Sequence, residues 1–413
     1  MAYSLIRNGT LIDGSGGNPL ADAAVLIEDN TIRAVGHQNR IPLPDAELVE
    51  IDAQGGFILP GLIDTHVHLM FEGYDILKMI NTPFSLNFYQ AIDYMRRTVE
   101  AGVTTVRDAA GADLGVKTAV EQGLVLGPRM QISVNALGIT SGHGDGWLPS
   151  GVDITLPAYP GCPDGLCDGV DDVRRKVREM LRAGAEVIKV CTTGGVLSPT
   201  DHPDFTQFSL EELKVIVEEA AFRRGTRVMA HASGREGIKN AIRAGIHSIE
   251  HGDQLDDEAI EMMLENGTFL VPTLLATIGI LEAADSMPEW GLRKIHEAAD
   301  IHRESMARAH KAGVRIAMGT DAGVGPHGTN LRELGLMCDI GMTPMEAIVA
   351  TTKVAAECIG WEDRIGTLEA EKLADVVVSQ TDPLADIRSL ENVDNVLIVI
   401  KDGQIVKDRR QRG

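Results

Sequence analysis

Six residues of types that bind metal ions or move protons are spread along this chain in a recurrent setting. His66 and His68 stand in Leu59-Pro60-Gly61-Leu62-Ile63-Asp64-Thr65-His66-Val67-His68. In a strand, side chains alternate faces, so these two imidazoles project to the same side, about 6 to 7 Å apart, and can grip one metal ion. Lys189 lies inside Val187-Ile188-Lys189-Val190, an apolar run that is an awkward place for a solvated ammonium. His231 follows Val228-Met229-Ala230, His251 closes Ser248-Ile249-Glu250, and Asp321 follows Ile316-Ala317-Met318-Gly319-Thr320. Each of the six therefore sits in or just after a β-rich segment. Alone, any of them reads as a strand-end histidine, a snorkelling lysine or a helix cap.

The elements that would carry these residues recur. Helical segments end at Gly and an apolar strand follows at once, as at Gly102, Gly184, Gly225, Gly245, Gly267 and Gly313. Helix starts are legible at Ser209-x-x-Glu212, a capping box, and at Thr343-Pro344 with Glu346 in the first turn. The strands expected are Ile58 to Asp64, Val103 to Arg107, Met130 to Val134, Val187 to Val190, Val228 to Ala230, Ser248 to Glu250, Phe269 to Thr273 and Arg315 to Met318. Eight strand-and-helix repeats predict an α/β chain with a TIM-like (β/α)8 barrel, whose catalytic residues gather at the C-terminal ends of the strands. No Gly-x-Gly-x-x-Gly follows any strand, which argues against an open nucleotide-binding sheet.

Residues 1–56 read as short strands with turns at Asn8-Gly9 and Asp29-Asn30, and the far end repeats that style through Ala374 to Ser379, Val396 to Ile400 and the turn Asp402-Gly403. Neither end can bury a core alone. The expected organisation is a small β-sandwich domain from 1–56 plus 368–413, with the barrel, 57–367, inserted between its halves. Residues 138–168, rich in Gly, Pro and Asp, are expected to be a loop over the barrel's C-terminal face, a lid or specificity element.

Composition narrows the partners. With 38 Lys and Arg against 60 Asp and Glu in 413 residues, the formal charge is -22, which repels phosphate backbones and anionic headgroups. Nucleic acid and membrane surfaces are excluded as partners, and a small-molecule substrate is expected. Neither a signal-peptide pattern nor a run of about 18 apolar residues is seen, so the expected setting is soluble and cytoplasmic. Five cysteines over so long a chain predict no disulfide framework, although Cys162 and Cys167 are spaced for a local pair. The sequence leaves open whether copies of the chain associate as a homo-oligomer.

With Leu59-Pro60-Gly61 and Asp64 ahead of the His-x-His pair, the chain resembles the metal-dependent amidohydrolase superfamily. His-x-His on strand one, Lys on four, His on five and six, and Asp on eight is the ordered ligand set of its binuclear members. The resemblance implies two divalent ions, one held by His66, His68 and Asp321 and the other by His231 and His251, bridged by Lys189 as its CO2 adduct. A carbamate has two oxygens that can bridge cations, whereas a free amine beside them is the wrong ligand. Zinc suits the nitrogen-rich set, with manganese or cobalt as alternatives. Asp321 would be the catalytic proton carrier.

Gly102-Val103-Thr104-Thr105-Val106-Arg107-Asp108, Gly127-Pro128-Arg129, Ser141-Gly142-His143-Gly144-Asp145, Thr193-Gly194-Gly195-Val196 and Gly319-Thr320-Asp321-Ala322-Gly323 resemble the imidazolonepropionase-like group that includes prolidases, or Xaa-Pro dipeptidases. The likeness runs over essentially the whole chain. It implies hydrolysis of dipeptides or N-acyl amino acids, with His143 donating to the scissile carbonyl or holding the substrate carboxylate. Gly194, Gly195, Ser233 and His327 are the other expected substrate contacts. Two positions depart from relatives: Ser233 stands where many dipeptidases carry Tyr, and Gly234 where mononuclear deaminases carry Glu. The second, with Lys189, argues against deamination. Competing readings are a lactonase or phosphotriesterase on the same centre, and a catalytically dead scaffold.

Overall fold

The computed structural model describes residues 2–155 and 158–410. Both chain ends supply strands to one eight-stranded sheet, ordered Gln404–Asp408, Val396–Lys401, Val376–Ser379, Phe57–Pro60, Tyr3–Leu11, Leu20–Glu28 and Thr31–His37, with Leu48–Asp52 parallel to Tyr3–Leu11. Its central strands are buried on both faces, and the period of two sorts them. Val376 and Val378 pack with Ile6, Ile58 and Ile398 in a small core, while Val377, Leu59 and Val399 face the large one.

The segment expected as a single strand from Ile58 to Asp64 is broken at Gly61. Phe57–Pro60 pairs with Tyr3–Leu11 and Val376–Ser379, whereas Leu62–Val67 runs parallel to Val103–Asp108. Gly61 makes the crossing because its amide donates to Asp375 O and a Cβ there would lie 2.2 Å from Thr104 Oγ1.

Parallel strands and helices alternate through the middle of the chain. One set is Leu62–Val67, Val103–Asp108 and Arg129–Ile132; the other is Ala136–Leu137, Val187–Cys191, Arg227–Ala232, Ser248–His251 and Phe269–Val271. Glu186 N donates to Ile132 O on one side between the sets. On the other side the chain from Arg315 to Ala322 is extended, though it makes only isolated bridges, Leu270 with Ile316 and Val67 with Ala322. Leu270 N donates to Arg315 O, Thr65 N to Met318 O and Asp321 N to His66 O. The expected strand Arg315 to Met318 is thus a connector, bent where Asp321 takes a φ of 58°.

The expected capping box forms at Ser209 with Glu212, and the helix start read at Thr343-Pro344 is also capped by a box, Thr343 with Glu346. All five cysteines are free thiols, so Cys162 and Cys167 are not bridged. Among the described residues no helix is long and apolar enough to cross a membrane.

Candidate metal centre

The six chemistry-bearing residues converge. His66 and His68, from Leu62–Val67 and the residue after it, meet Asp321, whose Oδ1 lies 3.6 Å from His66 Nε2 and 3.1 Å from His68 Nε2. These three form a cluster able to hold a metal ion. The His251 ring is 5.1 Å from that of His66 and 4.6 Å from that of His231, and Lys189 Nζ lies 3.4 Å from His66 Nε2.

Each of the four rings has one nitrogen committed elsewhere. His66 Nδ1 is 2.8 Å from Glu250 Oε2, and His68 Nδ1 is 3.0 Å from Ala110 O. His231 Nε2 is 3.0 Å from Gly194 O, and His251 Nδ1 is 2.7 Å from Thr273 Oγ1. Since a carbonyl or carboxylate only accepts, the first three rings must carry their proton on the committed nitrogen. In neutral His66 and His231 the other nitrogen keeps its lone pair, as a metal ligand requires. For His68, burial acts to lower the imidazole value, but Asp321, 3.1 Å from Nε2, brings it above the ordinary range. Burial holds His66, His231 and His251 well below the ordinary imidazole value, hence neutral. Burial acts to raise the Asp321 carboxyl, but His66, His68 and Lys189 bring it below the usual range. Asp321 Oδ1 is nonetheless buried without a hydrogen-bond donor. An acceptor of this kind, facing two imidazole nitrogens, is what a divalent cation would satisfy.

Strain marks the same place. Asp321, His251 and Thr273 are non-glycine residues with φ of 58°, 72° and 49°. Such geometry costs on the order of 1 to 3 kcal/mol per residue and persists only where the surroundings impose it. Asp321 is imposed through Asp64, whose carboxylate accepts from His66 N, Thr320 N, Thr320 Oγ1 and Asn330 Nδ2. Thr273 precedes the helix Leu274–Glu282, whose first amides donate to the buried Glu333 at 2.9 and 2.7 Å. Burial pushes the Glu333 carboxyl up to about 8.

These supports carry little local signal in the sequence, Glu250 above all. Its Oε1 accepts from Arg107 Nη2 at 2.9 Å and Ser248 Oγ at 2.5 Å while Oε2 holds His66. Arg107 and Glu250 are 1% and 0% exposed. Opposite charges inside two apolar strands were the available signal. Glu250→Gln is expected to weaken metal binding by about 10- to 100-fold and to lower the unfolding temperature, because Arg107 is left buried without its counter-charge. Competitive chelator titration and thermal denaturation would check both.

His143 belongs to a second network. Its Nδ1 is 2.9 Å from Ser198 Oγ, and its ring stacks on that of His231 at 4.1 Å. Ser198 gives its single proton to Asp201, so Nδ1–H of His143 must be the donor. Lys294 Nζ donates to Ser198 O at 2.7 Å and Gly195 O at 3.0 Å, and lies 3.3 Å from Asp201. Burial lowers the His143 value, and the neutral ring leaves Nε2 as an acceptor. The expected role of carbonyl donor would need the imidazolium form.

A cavity of about 660 Å³ opens over the centre, within the range of roughly 300 to 1,000 Å³ common for small-molecule sites. Ser233 and His143 line it, as do parts of the 138–168 loop such as Asp145, Ile154 and Tyr159. Three expected substrate contacts do not. Gly194 spends its carbonyl on His231, and Gly195 is pressed against His143, where a Cβ would come within 2.4 Å of Cε1. His327 is 1% exposed behind the wall, bonded to Phe71 O and stacked on Tyr94 at 5.0 Å.

The family model that matches residues 57–406 is described as the amidohydrolase family. The chain belongs to the amidohydrolase family. An ochratoxinase of Aspergillus niger is 38% identical over 422 residues, 98% of this chain and 86% of that protein. Two solved structures are similar throughout. A prolidase complexed with N-methylphosphonate-L-proline has a TM-score of 0.90 at 32% identity, covering 98% of this chain and 100% of that one. A Xaa-Pro dipeptidase with methionine bound in its active site has a TM-score of 0.88 at 35% identity, covering 98% and 99%. This amidohydrolase is accordingly an enzyme that hydrolyses C–N bonds. Its superfamily generally uses divalent metals, and His66, His68 and Asp321 fit one.

Proposed function

We propose that this amidohydrolase cleaves the amide bond of dipeptides or N-acyl amino acids at two divalent metal ions, zinc first, with manganese or cobalt as alternatives. His66, His68 and Asp321 would hold one ion, and His231 and His251 the other. The observation that carries the reading is Lys189. Its residue is 4% exposed, it lies 3.4 Å from the lone-pair nitrogen of His66, and among the described residues it has no carboxylate partner within 4 Å. Burial lowers its amine value, which favours the neutral, nucleophilic amine that reacts with CO2. Carboxylated, Lys189 supplies the anionic bridge that two cations need.

A bound metal pair would acidify a shared water and polarise the substrate carbonyl. Asp321 would take the proton released on attack and hand it to the leaving nitrogen. Neutral His143 offers Nε2 as acceptor to an amide N–H. Phe84, Phe88 and Tyr159, with ring centroids 5.0 to 6.0 Å apart, form an aromatic wall suited to apolar substituents. Ser233 adds volume in place of a bulkier residue, favouring bulky leaving residues over glycine. Lys78 is the lining ammonium left for a substrate carboxylate, since Lys189 is committed.

The parallel strands are inferred to close as one (β/α)8 ring through the 315–322 connector. The terminal sheet is inferred to be the core of a small sandwich domain from 1–56 and 368–413. A cytoplasmic setting belongs to the same reading. A dead scaffold is disfavoured because all six ligand positions hold competent side chains.

Metal-loaded protein should be screened against L-Xaa-L-Xaa dipeptides, N-acyl amino acids, their C-terminal amides, lactones and phosphotriesters. Amides with a free carboxylate are expected to give the highest kcat/KM. Far faster turnover of lactones or phosphotriesters would make the peptidase reading wrong, and equal turnover of amidated and free acids would remove carboxylate recognition alone.

A further inference from the structure

We propose that Asp253 is a docking carboxylate for a cationic group of the substrate, so that the site favours amides bearing a free ammonium over uncharged acyl counterparts. This rests on the amide-hydrolase reading above and extends it to the acyl side of the substrate.

Asp253 comes two residues after His251, past the end of the strand Ser248–His251, and lines the cavity over the metal centre. It is only 8% exposed, and its main-chain carbonyl accepts from Ser305 Oγ at 2.6 Å, which fixes the backbone. Its carboxylate is another matter. Among the described residues it accepts no hydrogen bond, and the one basic group within 4 Å is His302, whose Nδ1 is 3.7 Å from Oδ1.

His302 makes no hydrogen bond to that carboxylate. Its Nε2 lies 2.8 Å from Pro272 O, a pure acceptor, so Nε2 carries the proton. Its Nδ1 lies 3.3 Å from Thr277 Oγ1, and at 3.7 Å from Asp253 Oδ1 it is beyond hydrogen-bond distance of the carboxylate.

The remaining carboxylates on the cavity wall, Asp321 apart, are already engaged. Glu72 pairs with Arg97 at 2.7 Å, and Asp75 caps Lys78 N at 3.0 Å. Asp145 accepts from Ser141 N and Trp147 N, and Asp153 from Thr155 N. Asp253 alone among them presents an anion to the cavity with no donor. A largely desolvated charge of this kind is costly unless paired, and a ligand ammonium would pair it with a charge-assisted hydrogen bond. The cation can come from two sources, the α-ammonium of a dipeptide or a basic acyl side chain.

Matched substrates separate them: Ala-Phe, its deamino analogue propionyl-Phe, and 6-aminohexanoyl-Phe, which keeps a side-chain ammonium without the α-amine. Metal-loaded wild type and Asp253→Asn would be compared on all three. The expected result is that the kcat/KM ratio of Ala-Phe to propionyl-Phe falls about tenfold or more in the variant, mainly through KM. A fall confined to the 6-aminohexanoyl substrate assigns the carboxylate to a basic side chain. Ratios unchanged for both ammonium substrates would overturn the proposal. If wild type cleaves no amide, the hydrolase reading fails separately, and calorimetry decides for Asp253. L-leucinamide should bind wild type more tightly than 4-methylpentanamide and lose that advantage in Asp253→Asn. Equal binding of the two amides, or of leucinamide to both proteins, overturns it.

Discussion

Lys189→Ala is expected to remove metal and turnover together. Among the described residues no other carboxylate at the centre is left to serve as the proposed bridge: Asp321 faces His66 and His68, and Glu250 is spent on Arg107, Ser248 and His66. Without an anion between them, two cations repel in a site walled by neutral imidazoles. Metal content should fall from about two ions per chain to one or fewer. Activity should fall by roughly three orders of magnitude or more, as when one member of a cooperating catalytic unit is lost. Elemental analysis and steady-state kinetics on the same preparation would check it. The protein itself should stay folded, since Lys189 makes no ion pair with the described residues and the variant shortens a side chain pointing into a cavity.

Asp321→Asn should act differently, losing turnover while keeping much of the metal. The amide oxygen of asparagine can still face the cation held by His66 and His68, but it cannot carry the proton from water to the leaving nitrogen. A loss of about 10²- to 10⁴-fold is the scale of general acid–base catalysis. Because the interaction is made only in the transition state, kcat and kcat/KM should fall in parallel with little change in KM. Retained turnover would give the proton to another group, and His143 would be the next to test.

The two variants separate what local sequence can encode from what it cannot. His66 and His68 were legible because strand period is local: two residues apart means one face. Strand-end positions for His231 and His251 follow from the Gly-capped helix-to-strand joins, whereas Asp321 ends a connector rather than a strand, and the capping box at Ser209 and Glu212 forms as read. Partners set by tertiary packing were not legible. Glu250 reads as one more residue of Ser248-Ile249-Glu250 until Arg107 arrives from a strand more than a hundred residues away. The break at Gly61 was missed because what forbids a side chain there is Thr104 and Asp375. The Gly-rich surroundings of His327 predict a cavity residue, yet its ring bonds to Phe71 O and stacks on Tyr94. The Gly194-Gly195 loop reads as a substrate contact, while in the fold the Gly194 carbonyl holds the His231 ring and Gly195 leaves room for the ring of His143. Asp253 carried no signal at all, since an aspartate after a His-Gly pair becomes notable only when its neighbours prove unable to pair with it.

The proposed carbamate on Lys189 is open to direct observation. Apoprotein reconstituted with zinc in ¹³C-bicarbonate should acquire one ¹³C carbamate resonance per chain as about two ions bind and turnover appears. Chelation should abolish the resonance, and Lys189→Ala should never show it. Full metal occupancy and full activity without that resonance, or a single ion per chain unaffected by Lys189→Ala, would contradict a lysine-bridged metal pair as the source of this enzyme's chemistry.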